Sequence, residues 1–398
     1  MLQGLPRRSH HRGLGEGAGD MTGLAFMKGN EAIAIGALRA GLNAYFGYPI
    51  TPSTEVAETM AAEIHTGRWP DYKVYLQASS ELEAINMVLG SASAGMRAMT
   101  FTASPGFSLK QEGISYGVGM MLPFVVGNVN RGGPGLGNLG AEQSDYWQVT
   151  RGGGHGGYRL PVYAPASVQE ILSFPGVAFD TAFRYRTPVL LVFDAFTGQF
   201  KEDVQPDLDI ISQLNKGCGT LNPEEDHWEF DLQATEWAVG HRDQRKDGAR
   251  RVINSLFLDE DVFNRHSATL HDRWKRIEKC EALWEEVEVE DAEVLIVAYG
   301  ITARISRAAV TRMRGEGLPV GLLRPATISP FPAKALADLA PGLTAAVTVE
   351  LSHGQMFHDV QYALRASNPG VRMEAVNRTG GIMPTQNEII ARVKEVLA

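Results

Sequence analysis

Two almost unbroken apolar runs, residues 124–129 and 189–193, constrain this chain more than any other feature. A strand with one wet face alternates apolar and polar side chains. Runs such as these leave no face for water, so they belong in a parallel sheet covered by helices on both sides. The segments around them fit. Shorter apolar stretches at 45–47, 74–76 and 99–102 alternate with helical patterns at 31–42, 54–64 and 81–94. Alternating strand and helix predicts an α/β fold with a doubly wound, mainly parallel sheet. A second unit of the same class begins near 291, with strands at 294–298, 320–323 and 345–349. Its helices are expected at 300–314, 357–366 and 388–397, the last with Ile389, Ile390, Val393 and Val396 on one side. Between the units, residues 201–288 are charged, hold Trp228, Trp237 and Trp274, and show no strand–helix rhythm. The spacing of Phe263, Leu270, Trp274, Ile277 and Trp284 predicts one long surface helix over 259–286. The expected divisions are an extension (1–26), a first domain (27–204), a linker with a bridging helix (205–290) and a second domain (291–398).

Composition narrows the function. A net charge of −9 over 398 residues argues against a nucleic-acid surface, which needs a basic face. No apolar run approaches the roughly 20 residues that span a bilayer. The N-terminal stretch carries Arg7, Arg8 and Arg12 without an apolar core, so it is not a secretory signal and is expected to be disordered. Cys218 and Cys280 lie far apart, which fits two reduced thiols in a cytoplasmic protein. An iron–sulfur cluster takes about four cysteines, so this chain cannot hold one alone.

Three segments carry the candidate chemistry. They are Gly47-Tyr48-Pro49-Ile50-Thr51-Pro52-Ser53, then Gln77-Ala78-Ser79-Ser80-Glu81, then Asn130-Arg131-Gly132-Gly133-Pro134-Gly135. Each reads as a strand breaking into a loop. Glu81 would sit in the first turn of a helix, where the dipole favours an acid by about 0.3–1 kcal/mol. A purely structural role is therefore open to it. The apolar residues around it also suit a carboxyl that moves protons. Ser80 and Glu83 have capping-box spacing. Arg131 follows an apolar strand and precedes glycines, which suits a guanidinium that grips a carboxylate with two prongs. A surface arginine in a loose loop is the alternative. Residues 135–140 satisfy G-x-G-x-x-G, but no helix pattern opens there and position 160 is Leu160 rather than an acid, so NAD binding is not indicated. His155 stands among glycines and is either a substrate contact or an exposed loop histidine. His353 and His358 lack the spacing of a helical metal pair. Ser104-Pro105-Gly106-Phe107-Ser108 lacks the G-x-S-x-G elbow, which argues against a hydrolase nucleophile, and no phosphate-binding P-loop is present.

Taken in order, these pieces resemble the α subunit of the 2-oxoacid:ferredoxin oxidoreductases, which use thiamine diphosphate. The resemblance runs from about residue 27 to the C-terminus. It rests on Tyr48-Pro49-Ile50-Thr51-Pro52-Ser53, Glu81, Thr100-Phe101-Thr102-Ala103-Ser104-Pro105-Gly106 and Asn130 to Gly135. In the second unit it rests on Tyr299-Gly300, Arg324-Pro325 and Gly380-Gly381-Ile382-Met383-Pro384-Thr385. It implies a pyrimidine-binding domain followed by a transketolase C-terminal-like domain. Glu81 would hydrogen-bond the aminopyrimidine and activate the cofactor, with Tyr48, Pro49, Ile50 and Ser104 around it. Arg131, Thr51 and Gly132 would hold the 2-oxoacid. The implied reaction is oxidative decarboxylation to acyl-CoA, with electrons passing to iron–sulfur clusters. The chain lacks the Gly-Asp-Gly…Asn pattern that binds diphosphate and Mg2+, and it lacks cluster cysteines. The resemblance assigns Mg2+ to a β subunit and the 4Fe-4S clusters to partner chains, including a ferredoxin-like subunit or ferredoxin. It implies no membrane and no nucleic-acid partner. Ser79 stands where related chains often carry an acid, which makes Glu83 the second candidate for the activating carboxylate. Residues 113–116, 143–146 and 152–158 look most like the 2-oxoisovalerate members, with 2-oxoglutarate and aryl 2-oxoacids as other substrates of similar chains. The competing functions are a non-catalytic assembly paralogue of the same fold and an NAD-linked dehydrogenase.

Overall fold

The computed structural model describes residues 24–217, 234–240, 242–245 and 247–398. Its strands are β1 (Ala25–Lys28), β2 (Ala44–Gly47), β3 (Val74–Gln77), β4 (Ala98–Ala103), β5 (Phe124–Asn130), β6 (Val162–Tyr163), β7 (Pro188–Asp194), β8 (Lys201–Val204), β9 (Asn215–Lys216), β10 (Leu283–Val287), β11 (Val294–Ala298), β12 (Val320–Pro325), β13 (Thr327–Ser329), β14 (Ala345–Glu350) and β15 (Arg372–Asn377). The larger sheet has the order β13-β6-β7-β5-β4-β2-β3. All its strands run parallel except β13, which pairs antiparallel with β6.

The apolar runs do what their composition requires. In β5, Val125 and Val129 point into one core cluster and Val126 into another. In β7, Val189, Leu191 and Phe193 take the first side, and Leu190 and Val192 the second. Helices Gly29–Arg39 and Val168–Tyr185 cover one face, and helices Glu81–Ser93 and Ser104–Gly119 cover the other. The second core runs on into the smaller sheet, taking in Leu295, Val297 and Met356. That sheet has the order β15-β14-β11-β12-β10-β9, parallel except for the antiparallel β10 and β9. Both sheets are therefore of the α/β, mainly parallel class expected.

Two expectations need correction. The helix expected over 259–286 stops at Cys280, and residues 283–287 form β10, paired with β12 and β9. Leu283 is buried there and Trp284 half-buried, so the apolar spacing that looked helical is shared between two elements. The extension expected over 1–26 gives way to β1 at Ala25, which pairs with β8. Its partner lies far away in sequence, so local periodicity does not announce it. Residues 1–23, Cys218 and Trp228 lie outside the described residues. Among the described residues no helix is long and apolar enough to cross a membrane.

Candidate active site

Parallel strands end on one rim, and ligands of such sheets collect outside those C-terminal ends. β2, β3, β4 and β5 lead directly into Tyr48, Ala78, Ser104 and Arg131. The three segments singled out from sequence therefore share one rim because of their strand direction.

Glu81 opens helix Glu81–Ser93. Ser80 is its N-cap and accepts the Glu83 backbone N–H at 3.1 Å. Glu83 turns back to the backbone and hydroxyl of Ser79, and these hydrogen bonds hold its carboxyl below the usual carboxylate range. It is thus committed to the helix entrance. Glu81 is buried, and among the described residues nothing donates to its carboxylate. The carboxylate lies over the start of helix Ser104–Gly119: a Cβ added to Gly106 would overlap both Glu81 Oε1 and Thr102 Oγ1. Lys110, one turn further along and fully buried, donates from Nζ to the Glu81 carbonyl at 3.2 Å.

Ser104, which opens the same helix, meets the backbone of Arg131. Its hydroxyl accepts the Arg131 backbone N–H at 3.0 Å. Arg131 Nη1 in turn donates to the Thr51 carbonyl at 2.7 Å, while its Nε is buried with no partner among the described residues. Asn130 Oδ1, beside it, is also buried and unpartnered. Asp145 closes the back of the rim: Asn128 donates to it at 2.8 Å, and burial raises its carboxyl despite the Ser104 and Asn128 hydrogen bonds. Tyr48 and Thr51 are exposed at the mouth, with Pro49 and Ile50 half-buried between them.

The loop after Arg131 is held by the second unit. Asn138 donates to the Gly380 carbonyl at 2.9 Å, and its backbone N–H donates to the Gly132 carbonyl at 3.2 Å. The Gly380 N–H reaches Glu142 at 2.7 Å, and Gln143 bonds Tyr299 and Leu351. No helix opens at 135–140, so the G-x-G-x-x-G spacing belongs to a clasped loop. His155 is exposed, edge-on to Tyr116 on the outside of helix Ser104–Gly119. His353 reaches Thr379 and His358 lies against Trp147. Among the described residues no group of acids, histidines and cysteines is suited to a metal.

A buried carboxylate awaiting a donor, next to an orphaned guanidinium nitrogen and an orphaned amide oxygen, fits a polar heteroaromatic cofactor with an anionic substrate beside it. Comparison with known proteins agrees. Residues 35–244 match the family model described as the thiamine-diphosphate-binding domain of pyruvate flavodoxin/ferredoxin oxidoreductase, and residues 292–389 match core domain II of pyruvate:ferredoxin oxidoreductase. Ketoisovalerate oxidoreductase subunit VorB of Methanothermobacter thermautotrophicus is 42% identical over 372 residues, covering 93% of this chain and 97% of that protein. The chain belongs to the α-subunit family of the 2-oxoacid:ferredoxin oxidoreductases. Another member, 2-oxoglutarate synthase subunit KorA of Methanocaldococcus jannaschii, is 35% identical over 92% of this chain and 97% of its own length. The fold is that of a 2-oxoglutarate:ferredoxin oxidoreductase from Magnetococcus marinus, solved with 2-oxoglutarate, coenzyme A and succinyl-CoA bound. The TM-score is 0.76 at 24% identity, covering 94% of this chain and 65% of that one. Family membership accounts for the paired sheets and for the thiamine-type site.

Reasoning from sequence misses Lys110, Thr102, Asp145, Asn138 and Asn30. The alternation of β4 could have placed Thr102. The others depend on packing between distant segments.

Proposed function

We propose that this chain is the α subunit of a cytoplasmic 2-oxoacid:ferredoxin oxidoreductase whose substrate is a branched-chain 2-oxoacid. The reaction converts a 2-oxoacid and coenzyme A to acyl-CoA and CO2, with two electrons leaving to ferredoxin. Bound thiamine diphosphate supplies the carbon nucleophile and electron sink that neither side chains nor backbone can provide. Glu81 offers its buried carboxylate as the partner of the pyrimidine ring and holds a proton there. Tyr48, Pro49, Ile50 and Ser104 line the same rim. Arg131, steadied by Thr51, and the open backbone at Gly132 receive the substrate carboxylate. The diphosphate with its Mg2+ and the 4Fe-4S clusters fall to a β subunit and a ferredoxin-like partner. Leu76, Leu82 and Leu109, exposed on β3 and on the two helices flanking the site, give such a partner an apolar face to cover. The ketoisovalerate relatives at 41–42% identity, against 32–35% for the 2-oxoglutarate ones, favour a branched substrate.

The observation that carries this reading is the undonated Glu81 carboxylate on the same rim as Arg131. Glu81→Gln in the co-expressed complex should lower oxoacid- and coenzyme-A-dependent dye reduction by about 10²–10⁴-fold. Undiminished turnover would remove the role given to Glu81. A higher kcat/KM for 2-oxoglutarate than for 2-oxoisovalerate would overturn the substrate. If the complex did not melt later on adding thiamine diphosphate and Mg2+, the chain would be an assembly paralogue instead.

A further inference from the structure

Lys110 is a lysine shut off from solvent. Its side chain is fully buried on helix Ser104–Gly119, and its one hydrogen bond among the described residues goes to the Glu81 carbonyl, at 3.2 Å. An ammonium carries three donors, so a single neutral acceptor leaves most of its hydration uncompensated. A methionine would fill the same space at less cost. The fold gives no reason for a charge at this depth, whereas its neighbour does.

Burial pulls the Lys110 pKa down to about 7, and the charge of Glu81 opposes that fall. The other titratable groups on the elements packed around Lys110 are turned elsewhere. Glu83 is bound to Ser79, Glu112 accepts the Tyr116 hydroxyl at 2.7 Å, and Asp145 faces Asn128. β4 and β5 carry no titratable side chain, and Asp194 at the end of β7 caps its own helix through Thr197. His155, on the loop beyond, lies edge-on to Tyr116.

We propose that Lys110 is a positioning residue for Glu81. Its ammonium fixes the first turn that carries the carboxylate, and its buried charge sets the acidic limb of activity of the assembled site. The inference rests on the reading of Glu81 as the cofactor's partner. A positive charge beside a carboxylate favours its ionised form. Removing a buried positive charge favours the protonated form of the assembled site, so the acidic limb of activity moves to higher pH.

The test uses the full hetero-oligomer with Lys110→Met and Lys110→Gln. One readout is the pH profile of kcat for oxoacid-dependent dye reduction. The other is the near-UV circular dichroism of bound thiamine diphosphate across the same pH range. Both should shift upward by about one pH unit, the low end of what a neighbouring opposite charge contributes. Profiles that stay within experimental error of wild type would overturn the proposal. If neither neutral variant assembles, Lys110→Arg decides: a wild-type limb supports the proposal, and a displaced limb or a failure to assemble overturns it. Glu81→Gln, run in parallel, separates the two readings. Full activity there removes the Glu81 role itself, whereas an inactive Glu81→Gln with unshifted lysine variants removes only the role of Lys110.

Discussion

At Gly106 a helix passes beneath the Glu81 carboxylate with no room for a side chain. A methyl group would overlap Thr102 Oγ1 and both Oε1 and Cγ of Glu81; Thr102 is held in a buried strand, so the clash is relieved only by turning the Glu81 side chain away. Overpacking of this kind costs about 1–3 kcal/mol. Here it would fall on the orientation of one carboxylate. Gly106→Ala should therefore weaken thiamine diphosphate binding by about tenfold or more while leaving assembly with the partner intact, as a titration of the purified complex would read. A wild-type affinity would place the Glu81 carboxylate elsewhere. The residues that meet here differ in how well the sequence announces them. Glu81 stands at a serine-capped helix start and Arg131 at a strand end before two glycines and a proline; local chemistry leaves a structural role open to each, and their order within the family resemblance marks them as a site. Lys110 sits in Ser108-Leu109-Lys110-Gln111-Glu112, and ordinary hydrophobicity would bury Leu109 and expose Lys110. The reverse holds: Leu109 is 56% exposed and Lys110 is 0% exposed. Only the packing of helix Ser104–Gly119 against helix Glu81–Ser93 decides that, and no window of sequence contains both.

The turn that delivers Thr51 to Arg131 is itself held by three separate elements. Asn30, on the first helix and fully buried, donates to the Pro52 carbonyl at 2.6 Å and to Glu55 at 2.9 Å. Gln199, beyond β7, reaches the same carbonyl at 3.3 Å and Glu55 at 2.9 Å, and Lys28 from β1 pairs with Glu55 at 3.0 Å. Replacing Asn30 by Ala strands the Pro52 carbonyl on its better side, at a cost of about 1–3 kcal/mol. On the proposed roles Asn30 acts nearest to Thr51, which steadies the substrate-binding Arg131, so Asn30→Ala should raise KM for the 2-oxoacid several-fold and change kcat less. A steady-state series in the reconstituted enzyme would show it, and an unchanged KM would disconnect this network from Arg131. Elements of this kind mark the limit of sequence reading. β5 and β7 are legible because both faces are apolar. β1, β8, β6 and β13 are missing from the expected elements because each has two to four residues and pairs with a distant stretch, and β15 is missing because Arg372, Glu374 and Asn377 interrupt its apolar residues. Helix Val168–Tyr185 is likewise missing, with Pro175 interrupting its pattern.

At the scale of the whole molecule, the two sheets are locked through Arg324. From β12 its guanidinium takes both oxygens of Glu170, on helix Val168–Tyr185 of the first unit, at 2.7 and 3.1 Å, and its Nε reaches Glu285 on β10 at 2.8 Å. Arg324 and Glu170 are both buried. A few residues on, β13 leaves the second unit to pair with β6 in the first sheet. Sequence periodicity shows two α/β units but not this exchange, because a three-residue strand after Arg324-Pro325 carries no pattern of its own. Removing one partner of a buried pair leaves a charge without compensation, which costs about 3–5 kcal/mol. Arg324→Met should therefore lower the melting temperature of the complex markedly at neutral pH. The pH dependence has a definite sign. Burial works to raise the Glu285 carboxyl, but Arg324 and Arg307 outweigh it and hold the group below its ordinary value. Its contribution is present above the unfolded glutamate value and is lost as pH falls through the lowered folded value. In Arg324→Met much of that contribution is already gone. The melting temperatures of wild type and variant should accordingly converge as the pH is lowered from 7 toward 4. A gap that stayed constant or widened would mean that the junction is held by apolar packing, with Arg324 a passenger in it.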